Sequence, residues 1–384
     1  MYACSNDFHT AVANGAPQKA LLIFSDCVFT DSDISVENGI RFSDYFNRET
    51  DLAIGQTPSN EISFSLFNDD RLLNSYEFGE FLATLGVLIE TATYTKSGNC
   101  KLVTPNATYV GNSSTPYLTR DGSAVSSSPG FAVKSLLCYD GKLYAFSGTG
   151  NYAVYNDSTG AKLNNVTLNN FMKNKSKDWN GNGMYYNPSN RILKITNNGV
   201  RKRYEFCPLG KFIAERPKAP DVIQIDLNCY DFMQKFDVDM PADSALGVTY
   251  PISIQNLFIK MCQYLNVSYT LPDPFINGSA MIQNRPDEFD TATMRDVLHW
   301  IAEASCTNAR FNRDGVLELL WLKTTSQTYA ATGYGKFNPY WYETKTITKL
   351  HNRDTQGSAE KTCGEINGDE GYLIQDNPLL KGVN

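Results

Sequence analysis

The sequence predicts an α+β protein that is mainly β: a small antiparallel barrel or sandwich, interrupted by an all-β insertion and followed by a compact α+β unit. Three observations lead to this prediction. Residues 20–66 contain segments that alternate polar and apolar side chains, which is typical of half-buried strands. Residues 91–203 contain short aromatic segments separated by turns that carry glycine. Two amphipathic helices and one hairpin are predicted between residues 250 and 322.

Composition and charge limit the class of protein. The chain has 384 residues, which predicts two or three domains at about 150 residues each. Acidic residues outnumber basic ones by 41 to 34, and this balance disfavours a broad nucleic-acid-binding face, because phosphate contact needs clustered Lys and Arg. The nine cysteines form no CxxC pair, which disfavours a zinc site and is typical of free thiols in a reducing cytoplasm. The longest apolar runs are strand-sized and no leader pattern is visible, so we expect neither a membrane span nor a secretory signal.

The first block is predicted to be antiparallel β structure. Residues 34–36 and 40–42 lie on either side of an Asn-Gly turn at 37–39, and Asn-Gly between two alternating segments is a strong hairpin signal. Residues 61–67 alternate strictly between large apolar side chains and polar ones, and residues 81–90 continue as a strand. These strands predict one shared apolar core.

Residues 91–203 differ in character from both flanks. They are dense in Asn, Gly, Ser, Thr and Tyr, and strands are predicted at 142–146, 152–155 and 191–195. Glycine turns such as Asp140-Gly141 separate these strands, and helix signals are nearly absent. The segment is therefore interpreted as an inserted all-β domain.

After residue 203 the earlier character returns. Residues 206–215 and 222–230 predict a strand pair that completes the first block. A helix is then predicted with Pro251 in its first turn, because apolar residues recur at helical spacing behind it.

The rest of the α+β unit is predicted from a cap and a turn. A second helix is expected over residues 293–306, with either Thr291 or Thr293 as its N-cap. The turn at 313–315 predicts a hairpin, and another β segment begins near Thr346.

Eight short motifs follow one another along the chain. They are ISFSLFN at 62–68, YEFGEF at 76–81, YDFMQKFD at 230–237, TYP at 249–251, RPD at 285–287, TMRDVLHWIAE at 293–303, FNRDGVL at 311–317 and YLIQDNPL at 372–379. Each motif is a strand, a turn or a helix entry, and their order is the informative feature. The series resembles the baseplate hub, or tail-associated tip, proteins of bacteriophages and prophages.

The resemblance implies a scaffold built on a hub-type β-barrel. Hub proteins of this family are trimers that cap the tail tube, with two similar barrels per subunit forming a pseudo-sixfold ring. The implied organisation is the first half of a barrel at 1–90, an inserted β-rich domain at 91–203, return strands at 204–245, a small α+β domain at 246–345 and the start of a second barrel at 346–384. Because the last of these segments is short, we expect an abbreviated barrel or an N-terminal piece of a longer protein.

The resemblance also implies a function. The protein is expected to be a non-enzymatic component of the virion tail, made in the cytoplasm of the bacterial host, with no cofactor. The implied partners are two further copies of the chain, a tail-tube or distal-tail ring protein, the tape-measure protein and DNA that passes without sequence recognition.

Candidate catalytic residues are few. His9, His299 and His351 are too scattered to predict a metal site, and no GxSxG, HExxH, Walker or GxGxxG motif is present. A carboxylate cluster at 287–290 precedes the second predicted helix, where acidic side chains favour the positive end of the helix dipole. Residues 178–183 resemble the start of a calcium loop but lack its bidentate Glu. We therefore predict no catalytic, cofactor-binding or metal-binding residue.

Two alternative functions remain open. Trp179, Tyr185 and Tyr186 are possible glycan-contacting residues, because aromatic rings stack on sugars, and they would make the insertion a carbohydrate-binding module of the cell surface. The sequence favours the simpler interpretation of these rings as core aromatics of a small β domain. The other alternative is a cell-wall hydrolase that uses two carboxylates, one as acid and one ionised.

Overall fold

The computed structural model describes residues 4–24, 27–35, 39–45, 54–68, 71–139, 141–167, 181–187, 191–197, 199–215 and 223–320. They form a mainly β structure with few helices, which confirms the general fold class. The predicted β segment from Thr346, the second barrel at 346–384 and the motif at 372–379 lie outside the described residues.

The strands in chain order are β1 (Gln18–Phe24), β2 (Val28–Thr30), β3 (Arg41–Ser43), β4 (Glu61–Phe67), β5 (Glu80–Thr93), β6 (Cys100–Val103), β7 (Thr108–Gly111), β8 (Leu118–Arg120), β9 (Ser123–Ala124), β10 (Ser135–Tyr139), β11 (Lys142–Phe146), β12 (Tyr152–Asn156), β13 (Lys162–Leu163), β14 (Asn182–Asn187), β15 (Ile192–Asn197), β16 (Val200–Ala214), β17 (Gln224–Asp231), β18 (Ile252–Ser253), β19 (Ser268–Thr270), β20 (Met281–Ile282), β21 (Asn308–Phe311) and β22 (Val316–Leu320). The helices are α1 (Asn6–Ala13), α2 (Asp243–Leu246), α3 (Ile254–Tyr264) and α4 (Met294–Ala304), and short 3-10 turns lie at Asp31–Asp33, Leu72–Ser75, Phe232–Phe236 and Asp287–Asp290.

Seven strands form a curved sheet in the order β2-β1-β5-β16-β17-β4-β3. Every strand contributes alternate side chains to one apolar core, which includes Leu22, Phe29, Phe42, Phe64, Phe81, Phe212 and Leu227. Aromatic rings fill its centre, and Phe24 stacks on Phe81 with ring centroids 4.6 Å apart. The end strands β2 and β3 do not pair with each other, so the described residues form an open curved sheet and not a closed barrel.

The long pair β5–β16 joins this curved sheet to the insertion. The two strands are antiparallel from Val200 opposite Thr93 to Ile213 opposite Glu80. The boundaries predicted at 90/91 and 203/204 fall inside these strands. Beyond them β16 also pairs with β15, and the ladder continues through β14, β10, β11 and β12 to β13. The strands of the insertion therefore belong to the same hydrogen-bonded sheet as the first block.

The register of β5–β16 shifts at two places, between Arg203 and Tyr204 and between Pro208 and Gly210. A bulge bends its strand and increases the local twist. Pro208 lacks an N–H group and is tolerated in a strand at such an irregularity. Because β16 bends at these places, one strand can belong to the curved sheet at one end and to the insertion at the other.

The insertion packs in layers. One face of its strands lies against the outer side of β1, where Leu21 and Ile23 contact a cluster that includes Tyr186, Leu193 and Phe206. The opposite face is covered by a separate four-stranded sheet in the order β6-β7-β8-β9. A second core fills that interface, built from side chains such as Leu102, Tyr109, Leu136, Leu143 and Tyr155. Burial on both faces explains why these strands are rich in aromatic and aliphatic residues.

The predicted hairpin around Asn38-Gly39 is wrong. Ile34 forms a bridge with Leu66, and β3 pairs with β4 so that Phe42 lies opposite Ile62. Both segments thus pair with the same edge of β4 instead of with each other. Pairing with β4 puts Ile34 into the apolar core, and this tertiary gain outweighs the local turn signal.

The elements of the α+β unit agree closely with those predicted from the sequence. Thr293, one of the two residues predicted as N-cap, caps α4 in a capping box with Asp296. Strands β21 and β22 form the predicted hairpin. The first predicted helix is α3, but the position of Pro251 is wrong. Ser253 is the N-cap, with its Oγ accepting from the N–H of Asn256, so Pro251 lies before the helix. The helices pack with β21 and β22 in a core of their own.

Two helices were not predicted, α1 and the four-residue α2. α1 buries none of its side chains, so it lacks the apolar periodicity by which a sequence signals a helix. Ser5 begins the helix, since its Oγ accepts from the N–H of Phe8 at 3.1 Å. Ser5 also attaches the helix to β16, because its N–H and hydroxyl both donate to the carboxylate of Glu205, at 2.8 and 2.5 Å.

The β5–β16 pair yields a stability prediction. Gly86 lies opposite Phe206, and a Cβ on Gly86 would approach the Phe206 ring to 2.6 Å. Phe206 is fully buried, so its ring cannot turn out into solvent. We expect Gly86→Ala to lower the free energy of unfolding by about 1–3 kcal/mol, the usual cost of overpacking, in urea denaturation followed by circular dichroism.

The matched control is Gly79→Ala, where an added Cβ meets nothing within 4 Å. That substitution should leave the free energy of unfolding unchanged or raise it by less than about 1 kcal/mol, since it only restricts the unfolded chain. Combining Gly86→Ala with Phe206→Leu should recover part of the loss. Equal effects of the two alanine substitutions would contradict the predicted clash.

Candidate functional site

The outer side of β17 carries a surface with the composition of an interaction site. We define the β17 face by Phe67, Ile223, Asp226, Asn228 and Tyr230, all of which are exposed. The exposure of Asp226, Asn228 and Tyr230 follows from the pleat, because the alternate residues Ile225, Leu227 and Cys229 point into the core. Ile223 precedes β17, and Phe67 ends the neighbouring strand β4. The β17 face therefore combines the solvent side of β17 with two apolar residues beside its first residue.

The apolar groups of the β17 face lie at its two ends. Ile223 is 63% exposed, and its carbonyl accepts from the N–H of Asn68, which places it beside Phe67. Tyr230 lies at the other end, opposite Glu61. Between them Asp226 accepts a hydrogen bond from the Ser65 hydroxyl at 2.5 Å. Aromatic and aliphatic groups around polar ones are typical of protein–protein interfaces.

An open strand edge lies next to the β17 face. β3 pairs with β4 along one side, and none of the strands in the described part of the chain pairs with its other side. Unpaired N–H and C=O groups of an edge strand form a ready template for pairing with another chain. The edge and the β17 face together are the best candidate for a subunit contact.

A buried carboxylate holds the α+β unit against the curved sheet. Asp231 ends β17, and its side chain accepts three hydrogen bonds: from the hydroxyl of Ser59 at 2.9 Å, from the N–H of Asn60 at 3.0 Å and from the N–H of Met233 at 3.0 Å. These donors lie on the segment before β4 and on the 3-10 turn that opens the α+β unit. One side chain thus fixes the entry to β4 and the exit from β17 relative to each other.

The segment before β4 also extends the sheet of the α+β unit. The N–H of Gly55 donates to the carbonyl of Thr307 at 2.9 Å, and the N–H of Ala309 donates to the carbonyl of Gln56 at 2.8 Å. His299 belongs to this contact, because its Nδ1 lies 2.5 Å from the carbonyl oxygen of Gly55. The ring therefore positions backbone here, which is the structural role that its place beside Trp300 on the helix favours.

Burial raises the pKa of Asp231 to about 6, although its three hydrogen-bond donors and the charge of Arg295 act in the opposite direction. The site is dry, and the ionised form has lost more hydration than the donors replace. Asp231 is therefore a titrating group whose charge affects the attachment of the α+β unit.

The other candidate carboxylates do not converge. The side chains of Asp287, Glu288 and Asp290 are exposed on a 3-10 turn, and Asp290 pairs with Arg285 at 3.3 Å. Across the described residues, no group of three or more His, Cys, Asp or Glu side chains lies close enough to hold a metal ion. His9 is exposed on α1, where its ring meets only the edge of Phe8. His351 lies outside the described residues.

The possible glycan-contacting residues separate in the structure. Tyr185 is 9% exposed and packs in the core beneath the four-stranded sheet, whereas Tyr186 is 5% exposed and packs against β1. The pleat of β14 sends the two rings to opposite faces, so they do not form one stacking surface. Trp179 and the calcium-like residues 178–180 lie outside the described residues.

Two buried cysteines are unsuited to nucleophilic chemistry. Burial raises the pKa of Cys100 and of Cys229 to about 12, so their thiolates are not formed near neutral pH. Both side chains belong to apolar cores.

In the part of the chain that the structure describes, no helix combines the length and the apolar character needed to cross a membrane. Comparison with models of protein families gives no match, and no curated protein matches the sequence.

The raised pKa of Asp231 predicts a pH dependence. Because the folded protein binds this proton more tightly than the unfolded chain, the contribution of Asp231 to stability falls as the pH rises from about 4 to about 6. Asp231→Asn removes the titration and keeps an acceptor oxygen. We expect the free energy of unfolding of the wild type, minus that of the variant, to be about 2 kcal/mol larger at pH 4.5 than at pH 7.

Urea denaturation at both pH values measures this difference, and other titrating groups cancel because the two proteins share them. The variant loses the acceptor for the Asn60 N–H, which adds a constant offset at both pH values. A difference that does not change with pH would contradict the raised pKa.

Proposed function

We propose that this protein is a non-enzymatic structural component of a phage or prophage tail, a baseplate hub or tip protein that links the tail tube or distal-tail ring to the host-contacting tip. The observation that carries the proposal is the order of elements along the chain. Strands β1–β5 and β16–β17 build one curved sheet across an insertion, and a small α+β unit follows directly. This is the order implied by the hub resemblance.

In this proposal the curved sheet is the hub-type barrel of the subunit, interrupted at 91–203. After the interruption, strands β16 and β17 contribute side chains to the same apolar core as β1–β5, as the return strands of one barrel must. The second barrel that the resemblance implies from residue 346 lies outside the described residues. The α+β unit lies between the two barrels in sequence.

The proposed mechanism is geometric. Three copies assemble through the β17 face and the open edge of β3, and closing the ring covers a strand edge that would otherwise promote unspecific association. The bore passes the tape-measure protein and then DNA. A net charge of −7 suits this role, because a surface of that sign does not retain phosphates.

The proposal predicts self-association through the β17 face. The full chain should form trimers in size-exclusion chromatography with light scattering, and it should bind the tail-tube or distal-tail protein encoded beside it. Ile223→Asp should shift the trimer towards the monomer, because a charge would be buried in the contact.

The control is Val12→Asp, which places the same charge on an exposed apolar position of α1, away from the β17 face. It should leave the trimer intact. A full chain that stays monomeric and binds neither tail protein would refute the proposed function. Equal effects of the two substitutions would refute the assignment of the β17 face alone.

A further inference from the structure

The basic run at 201–203 is split between two faces of a strand. Arg201 and Arg203 lie on one face of β16, and Lys202 lies on the other, opposite Ile195. The register also places Lys194 of β15 directly opposite Arg203. The fold thus gathers three cations, Lys194, Arg201 and Arg203, on one face of the sheet, and only two of them are close in sequence.

These three cations share one carboxylate. Glu90 of β5 lies opposite Arg203, with its Oε2 3.1 Å from the Arg203 Nη1 and its Oε1 3.5 Å from the Arg201 Nη2. Lys194 has no hydrogen-bond or ion-pair partner among the residues that the structure describes. The group therefore keeps an excess of positive charge, in a chain whose net charge is −7.

This arrangement is unfavourable in the absence of an anion. Like charges directly opposite each other on neighbouring strands destabilise a sheet. The pKa of Lys194 is lowered from its ordinary value by burial and by the charges of Arg201 and Arg203, which reflects the same repulsion. All three cations remain partly exposed, so a small ligand can reach them from solvent.

We propose that Lys194, Arg201 and Arg203 form a binding site for one phosphate-type oxyanion. A guanidinium offers two parallel N–H donors that match two oxygens of such a group, and the Lys194 ammonium supplies a third donor and a charge. Glu90 positions the two arginines and limits affinity, because its carboxylate competes with the ligand for the same donors. This site is independent of the proposed tail function.

The chemistry favours a single oxyanion over a nucleic acid. Tight binding of a polyanion requires a series of phosphate contacts along an extended basic surface. Here three cations in two neighbouring rows converge on one face of the sheet, and Lys202 projects from the opposite face. The phosphate group can belong to a monoester or to a diester, since both present the same oxygens.

The experiment is calorimetric titration of the full chain with inorganic phosphate and, separately, with diethyl phosphate, in chloride buffer at constant ionic strength. We expect saturable binding of at least one probe, and the tighter probe identifies monoester-type or diester-type recognition. Lys194→Gln and Arg203→Gln should each weaken binding about tenfold, because each removes a charge and a donor.

Two further variants make the test specific. Lys202→Gln removes the same charge one residue away on the opposite face, and it should leave affinity unchanged. Glu90→Gln should tighten binding by removing the competing carboxylate. Urea denaturation of each variant verifies that it folds. If Arg203→Gln does not fold, Arg203→Lys replaces it and should still weaken binding, because it removes the paired donors of the guanidinium.

Three results would overturn the proposal: no saturable binding of either probe, an equal loss of affinity in Lys202→Gln, or weaker binding in Glu90→Gln. A single-stranded oligonucleotide serves as the last probe. Binding to it that depends equally on Lys194 and Lys202 would point to a diffuse polyanion surface and would also overturn the single-oxyanion site.

Discussion

The pairing of β5 with β16 is the constraint on which the rest of this structure depends. The two long strands place the curved core and the layered insertion on one continuous ladder. The Phe206 ring fills the space above Gly86, so a glycine and an aromatic side chain fix the register at the centre of the pair. At the two register shifts β16 can bend, so that one end of the strand lies in the curved part of the sheet and the other end pairs with β15 of the insertion.

Asp231 imposes the second constraint. Its carboxylate collects donors from the segment before β4 and from the turn after β17, so it ties together pieces of chain that are 171 and 172 residues apart in sequence. The contact costs desolvation, which appears as a raised pKa, and it gives the α+β unit a defined attachment. Tyr185, Tyr186 and the ring of His299 likewise pack and position the elements around them.

The candidate sites differ in how far they could be predicted without knowing which strands pair. The burial of Tyr185 and Tyr186 on opposite faces follows from the pleat of β14, a strand that the sequence did not predict because its central residues are buried on both faces and show no alternation. The grouping of Lys194 with Arg201 and Arg203 was not visible, because it requires the register of β15 against β16. The β17 face could not be predicted from the sequence either, since the exposure of Ile223 depends on which surfaces the neighbouring elements cover.

The sequence by itself determined the local elements. Strict alternation placed β4, and aromatic segments between glycine turns placed β11 and β12. A capping Thr at 291 or 293 before an apolar helical pattern indicated the start of α4, because periodicity and capping act within a few residues. Only the tertiary structure decided which strands pair. Ile34 and β3 both pair with β4 instead of with each other, and the strands of the insertion belong to the same sheet as the first block. Strand pairing depends on burial and hydrogen bonds between residues far apart in the chain, and no short stretch of sequence contains that information.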